Sequence, residues 1–95
     1  MAKLTSDELG ARVAQLTGWA VEGEGEETLA KTYRFPSFPE GIAFVDRVAQ
    51  LAEQAGHHPD IDIRYTTIIL RLSTHDEGGV TAKDVDLAPR IDALT

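Results

Sequence analysis

Apolar and polar positions along the chain alternate with two periods, and together they predict seven elements. Thr5 and Glu8 fit a capping box, and Leu9, Val13 and Leu16 form one apolar stripe, so a first helix is expected, closed by Gly18. WAVE at 19–22 reads as a short strand, and GEGEE at 23–27 as a hairpin loop. Two glycines in that loop suggest a phosphate-binding nest, but the adjacent glutamates would repel an anion. TLAKTYRF at 28–35 alternates, with Leu29, Tyr33 and Phe35 on one face and Thr28, Thr32 and Arg34 on the other: a half-buried strand.

Pro36 and Pro39 punctuate the exit from that strand, and a long helix is predicted over 38–55. It carries two apolar stripes, Phe38–Ile42–Val45–Ala49–Ala52 and Phe44–Val48–Leu51–Ala55. One stripe is enough to cover a small sheet. The second stripe is expected to meet another subunit, the alternative being a single wide stripe facing the core.

DIDIRYTTIILRLST at 60–74 is too long for one ordinary strand and divides as a hairpin. A two-residue turn at Thr66–Thr67 would pair Tyr65 with Ile68, Ile63 with Leu70 and Ile61 with Leu72, and would set Asp62 opposite Arg71. A slip of one residue would turn apolar residues against polar ones, so the parity is well determined. After Gly78–Gly79, Thr81 and Asp84 start a last helix with Val85, Ala88 and Ile91 on its buried side. Pro89 should kink that helix or split it near residue 88. The predicted fold is α+β, ordered α-β-β-α-β-β-α, a four-stranded antiparallel sheet with helices packed on one face.

Length and charge narrow the picture. A chain of 95 residues suffices for one core, so 1–95 reads as a single domain. An apolar share of 42% against 26% charged is that of a soluble globular protein rather than a disordered one. A net charge of −7, with nine basic residues scattered along the chain, argues against nucleic acid as a partner. No apolar run is long enough to span a bilayer. There is no signal-peptide pattern and no cysteine for a disulfide or a thiolate metal site, so a cytoplasmic protein is expected.

The candidate chemistry lies in three histidines. If Ile61 faces Leu72, then His58 faces His75, and His57 is one residue away at the end of the long helix. Glu53 precedes His57 by four residues, the spacing that shares a helix face, so its carboxylate can orient that imidazole. Asp60, Asp62 and Asp76 add negative potential nearby. Such a cluster suits acid–base chemistry, because imidazole exchanges protons near neutral pH. A histidine pair at a helix end can also be turn and capping chemistry alone. A three-histidine zinc site, with Glu53 or Asp76 as a further ligand, is a third reading, disfavoured because adjacent histidines tend to point apart. Nucleophilic catalysis lacks a candidate, with no cysteine and no serine clearly placed beside a histidine.

Glu53-x-x-x-His57-His58-Pro59, followed by Tyr65 and His75, resembles the signature of the pterin-4a-carbinolamine dehydratases. GW at 18–19, F-x-x-F at 35–38, VAQLAEQAGHHP at 48–59, LSTHDEGGVTAKDVDLA at 72–88 and ID at 91–92 follow the same pattern, covering nearly the whole chain. The resemblance implies dehydration of 4a-hydroxytetrahydropterin to the quinonoid dihydropterin, which recycles a cofactor spent by aromatic amino-acid hydroxylases. It implies His57 and His75 as an acid–base pair, His58 as a substrate-binding group, and Glu53, Pro59 and Asp84 as supporting residues, with no metal and no organic cofactor. Family members resemble one another in forming homodimers or homotetramers, and animal members also act as a dimerisation cofactor for a transcription factor. A non-catalytic interaction module on the same fold is the alternative. Two departures stand out: Ile61 replaces the tryptophan some members carry, and Pro89 sits inside the last helix.

Overall fold

A computed structural model describes residues 2–95 and has the predicted order of elements. Helix α1 (Ser6–Val13) is capped by Thr5, whose side chain accepts from the Glu8 N–H while Glu8 accepts from the Thr5 N–H. Strands β1 (Ala20–Glu22) and β2 (Thr28–Arg34) form the first hairpin. Helix α2 (Phe38–Ala55) follows, then β3 (Asp60–Arg64), β4 (Thr67–Leu72), a 3-10 turn (His75–Glu77) and α3 (Ala82–Asp92). The sheet is antiparallel throughout, in the order β1-β2-β4-β3.

Alternation decides which face is buried. Leu29 and Tyr33 of β2 and Ile68, Leu70 and Leu72 of β4 point into the core with Phe44 and Val48 of α2 and Val85, Ala88 and Ile91 of α3. Phe44 is fully buried, its ring 4.7 Å from that of Tyr33 and 5.1 Å from that of Phe35. A buried ring of this size makes Phe44→Ala cost about 3–5 kcal/mol.

Three expectations need correction. First, the stripe of α2 expected to meet another subunit is the one that packs on the sheet: its Phe44 and Val48 are buried, along with Gly41 and with Ala52 of the other stripe. The outward stripe begins instead with Phe38 (45% exposed) and Ile42. A helix lying on a sheet buries only one arc, and the near approach of Gly41 to Ile68 and Phe35 fixes which arc that is.

Second, the β3–β4 turn is Tyr65–Thr66, so Ile61 pairs with Leu70, Ile63 with Ile68, and Arg71 faces Asp60 rather than Asp62. The register is displaced by two residues, and the predicted parity holds. Tyr65 takes up a positive φ of 55°, uncommon for a bulky residue. Its ring stacks on Phe38 at 6.4 Å, which ties this conformation to the start of α2.

Third, α3 runs without a break from Ala82 to Asp92, with Pro89 inside it. Proline removes one N–H from the helix ladder. Pro89 lies on the exposed side while Ala88 and Ile91 are fully buried, so packing holds the helix on either side of it.

Candidate active site

Helix α2 ends where the site begins. Gly56 adopts a left-handed conformation (φ 65°), its N–H donates to the Glu53 carbonyl at 3.3 Å, and the His57 N–H donates to the Ala52 carbonyl at 3.2 Å. This is a Schellman closure, which glycine accommodates without a Cβ penalty. The chain turns out of the helix at Gly56, so His57 no longer follows helical spacing. Glu53 therefore does not reach His57 and pairs with the Nε2 of His58. Pro59 does not line the cleft; as a proline it holds the preceding His58 to extended backbone on the way into β3.

His57 has a different carboxylate. Its Nε2 lies 2.5 Å from Oδ1 of Asp84, which is fully buried in the first turn of α3. The other oxygen, Oδ2, accepts from the Thr81 N–H at 2.9 Å and from the Thr74 hydroxyl at 3.0 Å. Thr74 and Thr81 hydroxyls are 2.8 Å apart, and with the Thr74 hydrogen directed to Asp84, Thr81 is the donor between them. One aspartate thus caps α3 through one oxygen and holds an imidazole through the other. An ionised carboxylate is an acceptor only, so within this pair Nε2 of His57 is the donor and Nδ1 is the nitrogen outside the contact. Thr74, Thr81 and Asp84 are the buried polar residues of the described chain, and every one of them belongs to this network.

His75 arrives by a turn rather than by strand pairing. Thr74 and Gly79 form an isolated bridge, with Thr74 N–H to Gly79 O at 2.7 Å, which pinches residues 75–78 into a 3-10 turn on the rim. No hydrogen-bond partner for the His75 ring occurs among the described residues. The outcome is the predicted convergence by another route: His57, His58 and His75 line one cleft of about 300 Å³, together with Gly56, Ser73, Thr74, Asp76 and Lys83. Asp60 and Asp62 lie outside it, with Asp62 engaged by Arg64 at 3.1 Å. Among the described residues no three His, Asp or Glu side chains come together as a metal-holding group.

Across nearly the whole chain, residues 2–94 match the family model described as Pterin 4 alpha carbinolamine dehydratase. The chain belongs to this family. Curated relatives assigned by name to the pterin-4-alpha-carbinolamine dehydratases include one from Roseiflexus castenholzii, 55% identical, with 99% of each chain covered. Another, from Chloroflexus aggregans, is 49% identical over 99% of this chain and 98% of its own. Among solved structures, a transcriptional coactivator/pterin dehydratase from Brucella melitensis superposes with a TM-score of 0.89, at 30% identity and 97% coverage of both chains. A pterin dehydratase-like protein described as a RuBisCO assembly factor in the α-carboxysome gives 0.70, at 29% identity, covering 81% of this chain and 88% of its own.

Two parts of this dehydratase-family site escaped the sequence reading. Thr74 continues the buried parity of Ile68, Leu70 and Leu72, and a hydroxyl on the buried face at a strand's end was a legible sign of a polar partner. The pairing of Asp84 with His57 was not legible, because it joins α3 to the end of α2 across the core.

Proposed function

We propose that the chain dehydrates a 4a-hydroxytetrahydropterin to the quinonoid dihydropterin by histidine acid–base catalysis. The C4a–O bond breaks as the hydroxyl takes up a proton and leaves as water, and a ring nitrogen gives up a proton. No electrons are gained or lost overall, so two placed imidazoles supply what the reaction needs. His57 and His75 are assigned as the proton-transfer pair and His58 as a substrate-binding group. Asp84 and Glu53 orient His57 and His58 respectively, and Pro59 sets the path of the chain beside them. The observation that most supports this reading is the convergence of all three imidazoles on one cleft, with one of them anchored to a buried carboxylate. We assign the activity to cytoplasmic recycling of the pterin spent by an aromatic amino-acid hydroxylase.

The test is a direct assay with synthetic 4a-hydroxytetrahydropterin. His57→Ala and His75→Ala are each expected to lower turnover roughly 10²-fold or more, the usual scale for acid–base groups, with the fold retained by circular dichroism. Full activity in both variants would remove the assignment.

A second reading has its own observation. Ile61 and Ile63 of the edge strand β3, with Tyr65, Phe38 and Ile42, leave large apolar side chains exposed beside an open strand edge. That surface supports a homodimer or homotetramer, or an interaction module of the kind the descriptions of the two solved relatives suggest. Sedimentation of the purified chain, with Ile63→Lys as the disrupting variant, distinguishes the oligomer from a monomer.

A further inference from the structure

The histidine cleft adjoins a smaller space at each end. Past His75, a small recess of about 70 Å³ is bordered by Glu26 and Glu27, with the Lys3 side chain packed over Gly79 beside it. Past His57, a hollow of about 190 Å³ is lined by Ala55, Lys83, Asp86, Leu87 and Arg90 as well as by His57 itself. His57 and Lys83 border both this hollow and the main cleft, so the two spaces adjoin.

Lys83 and Arg90 are seven residues apart on α3, two helical turns or about 10 Å along one face. Neither has a carboxylate partner among the described residues; Arg12, Lys31, Arg64 and Arg71 do, and Lys3, Arg34 and Arg47, which lie outside this hollow, do not. Asp86, which lies between them, is taken by Arg12 of α1 at 2.7 Å. A chain with a net charge of −7 thus presents two unmatched cations beside the histidine cleft. A guanidinium and an ammonium set this way attract an anion, and the guanidinium fork matches the oxygens of phosphate or carboxylate.

We propose that the hollow beside His57 binds an anionic substituent of the pterin, a phosphate monoester or a carboxylate, with Arg90 and Lys83 as its partners. This inference rests on the dehydratase reading and specifies the substrate class of the same site. The anion is held outside the acid–base cleft, so it orients the ring without entering the proton transfers.

The experiment compares three 4a-hydroxytetrahydropterins: one with a neutral polyol side chain, the same chain as its phosphate monoester, and one carrying a p-aminobenzoylglutamate arm. The expected result is that kcat/KM for one anionic substrate exceeds that for the neutral one by about tenfold, the worth of one charge-assisted hydrogen bond. The favoured arm tells phosphate from carboxylate. High salt, Arg90→Gln and Lys83→Gln should each shrink that ratio towards one. Equal turnover of all three substrates, or a ratio untouched by both substitutions, overturns the anion site and leaves the dehydratase reading standing. No turnover of any of the three overturns the dehydratase reading, and the anion site with it.

Discussion

The imidazole of His57 and the carboxylate of Asp84 are 27 residues apart in the chain and meet at 2.5 Å, Nε2 to Oδ1. The aspartate is fully buried and the histidine side chain is 12% exposed, so the contact sits at the boundary between the core and the cleft. On its inner side the carboxylate is held by the Thr81 N–H at the start of α3 and by the Thr74 hydroxyl, placed by the Thr74–Gly79 bridge. The orientation of the ring is therefore set by helix capping rather than by solvent.

Asp84→Asn tests that relationship. The amide oxygen can keep the Thr74 and Thr81 donors, which turns the NH2 towards His57 and forces Nε2 to become an acceptor. The histidine then carries its proton on the wrong nitrogen. Turnover of the 4a-hydroxytetrahydropterin should fall roughly 10²-fold or more, while urea denaturation shows a folded protein. Unchanged turnover would mean that the ring's tautomer does not matter.

Thr81 separates capping from the hydroxyl chain. Thr81→Val removes the capping oxygen and the donor to Thr74, and should cost about 2 kcal/mol in urea denaturation. Thr81→Ser keeps both and should recover most of the loss. Equal losses in the two variants would point to the methyl group and its packing instead.

Gly56→Ala probes the helix end. An L side chain at φ 65° costs about 1 kcal/mol relative to glycine. Its neighbour His57 takes its direction from that turn, so the variant should lose more activity than its modest loss of stability explains. Thermal melts alongside the dehydratase assay measure the two effects separately.

Tyr33 gives a pH dependence of known sign. Burial raises its phenol pKa strongly, with further help from the hydrogen bond to Asp92 and that carboxylate's charge. The folded state therefore keeps the proton longer than the unfolded chain does. Its contribution to stability is complete below the unfolded value of about 10 and is lost as pH rises from there towards the raised folded value. Tyr33→Phe should cost about 1 kcal/mol at neutral pH and flatten the alkaline decline, as read from urea midpoints on both sides of pH 10. A variant that declines as steeply as the parent would assign the effect to another group.

Local chemistry made much of this protein legible in its sequence. The capping pairs Thr5–Glu8 and Thr81–Asp84 announce two helix starts, and alternation in 60–74 sets which side of β4 is buried and which residues of β3 share that face. These readings hold because they depend on neighbours within one turn or on a period of two. The same period explains the error in the hairpin: a slip of two residues still sets isoleucines opposite apolar partners, so the pattern leaves the register open and the turn at Tyr65, with its positive φ, marks it. Which stripe of α2 meets the sheet likewise depends on how closely Gly41 can approach Ile68. The histidines divide in the same way. Three imidazoles were visible in the sequence, but the partner of His57 was not: Glu53, expected to serve His57, serves His58, and Asp84 serves His57. Helical spacing ends at Gly56, and beyond that residue it is the packing of α3 against the end of α2, a long-range contact, that decides which charge each ring meets.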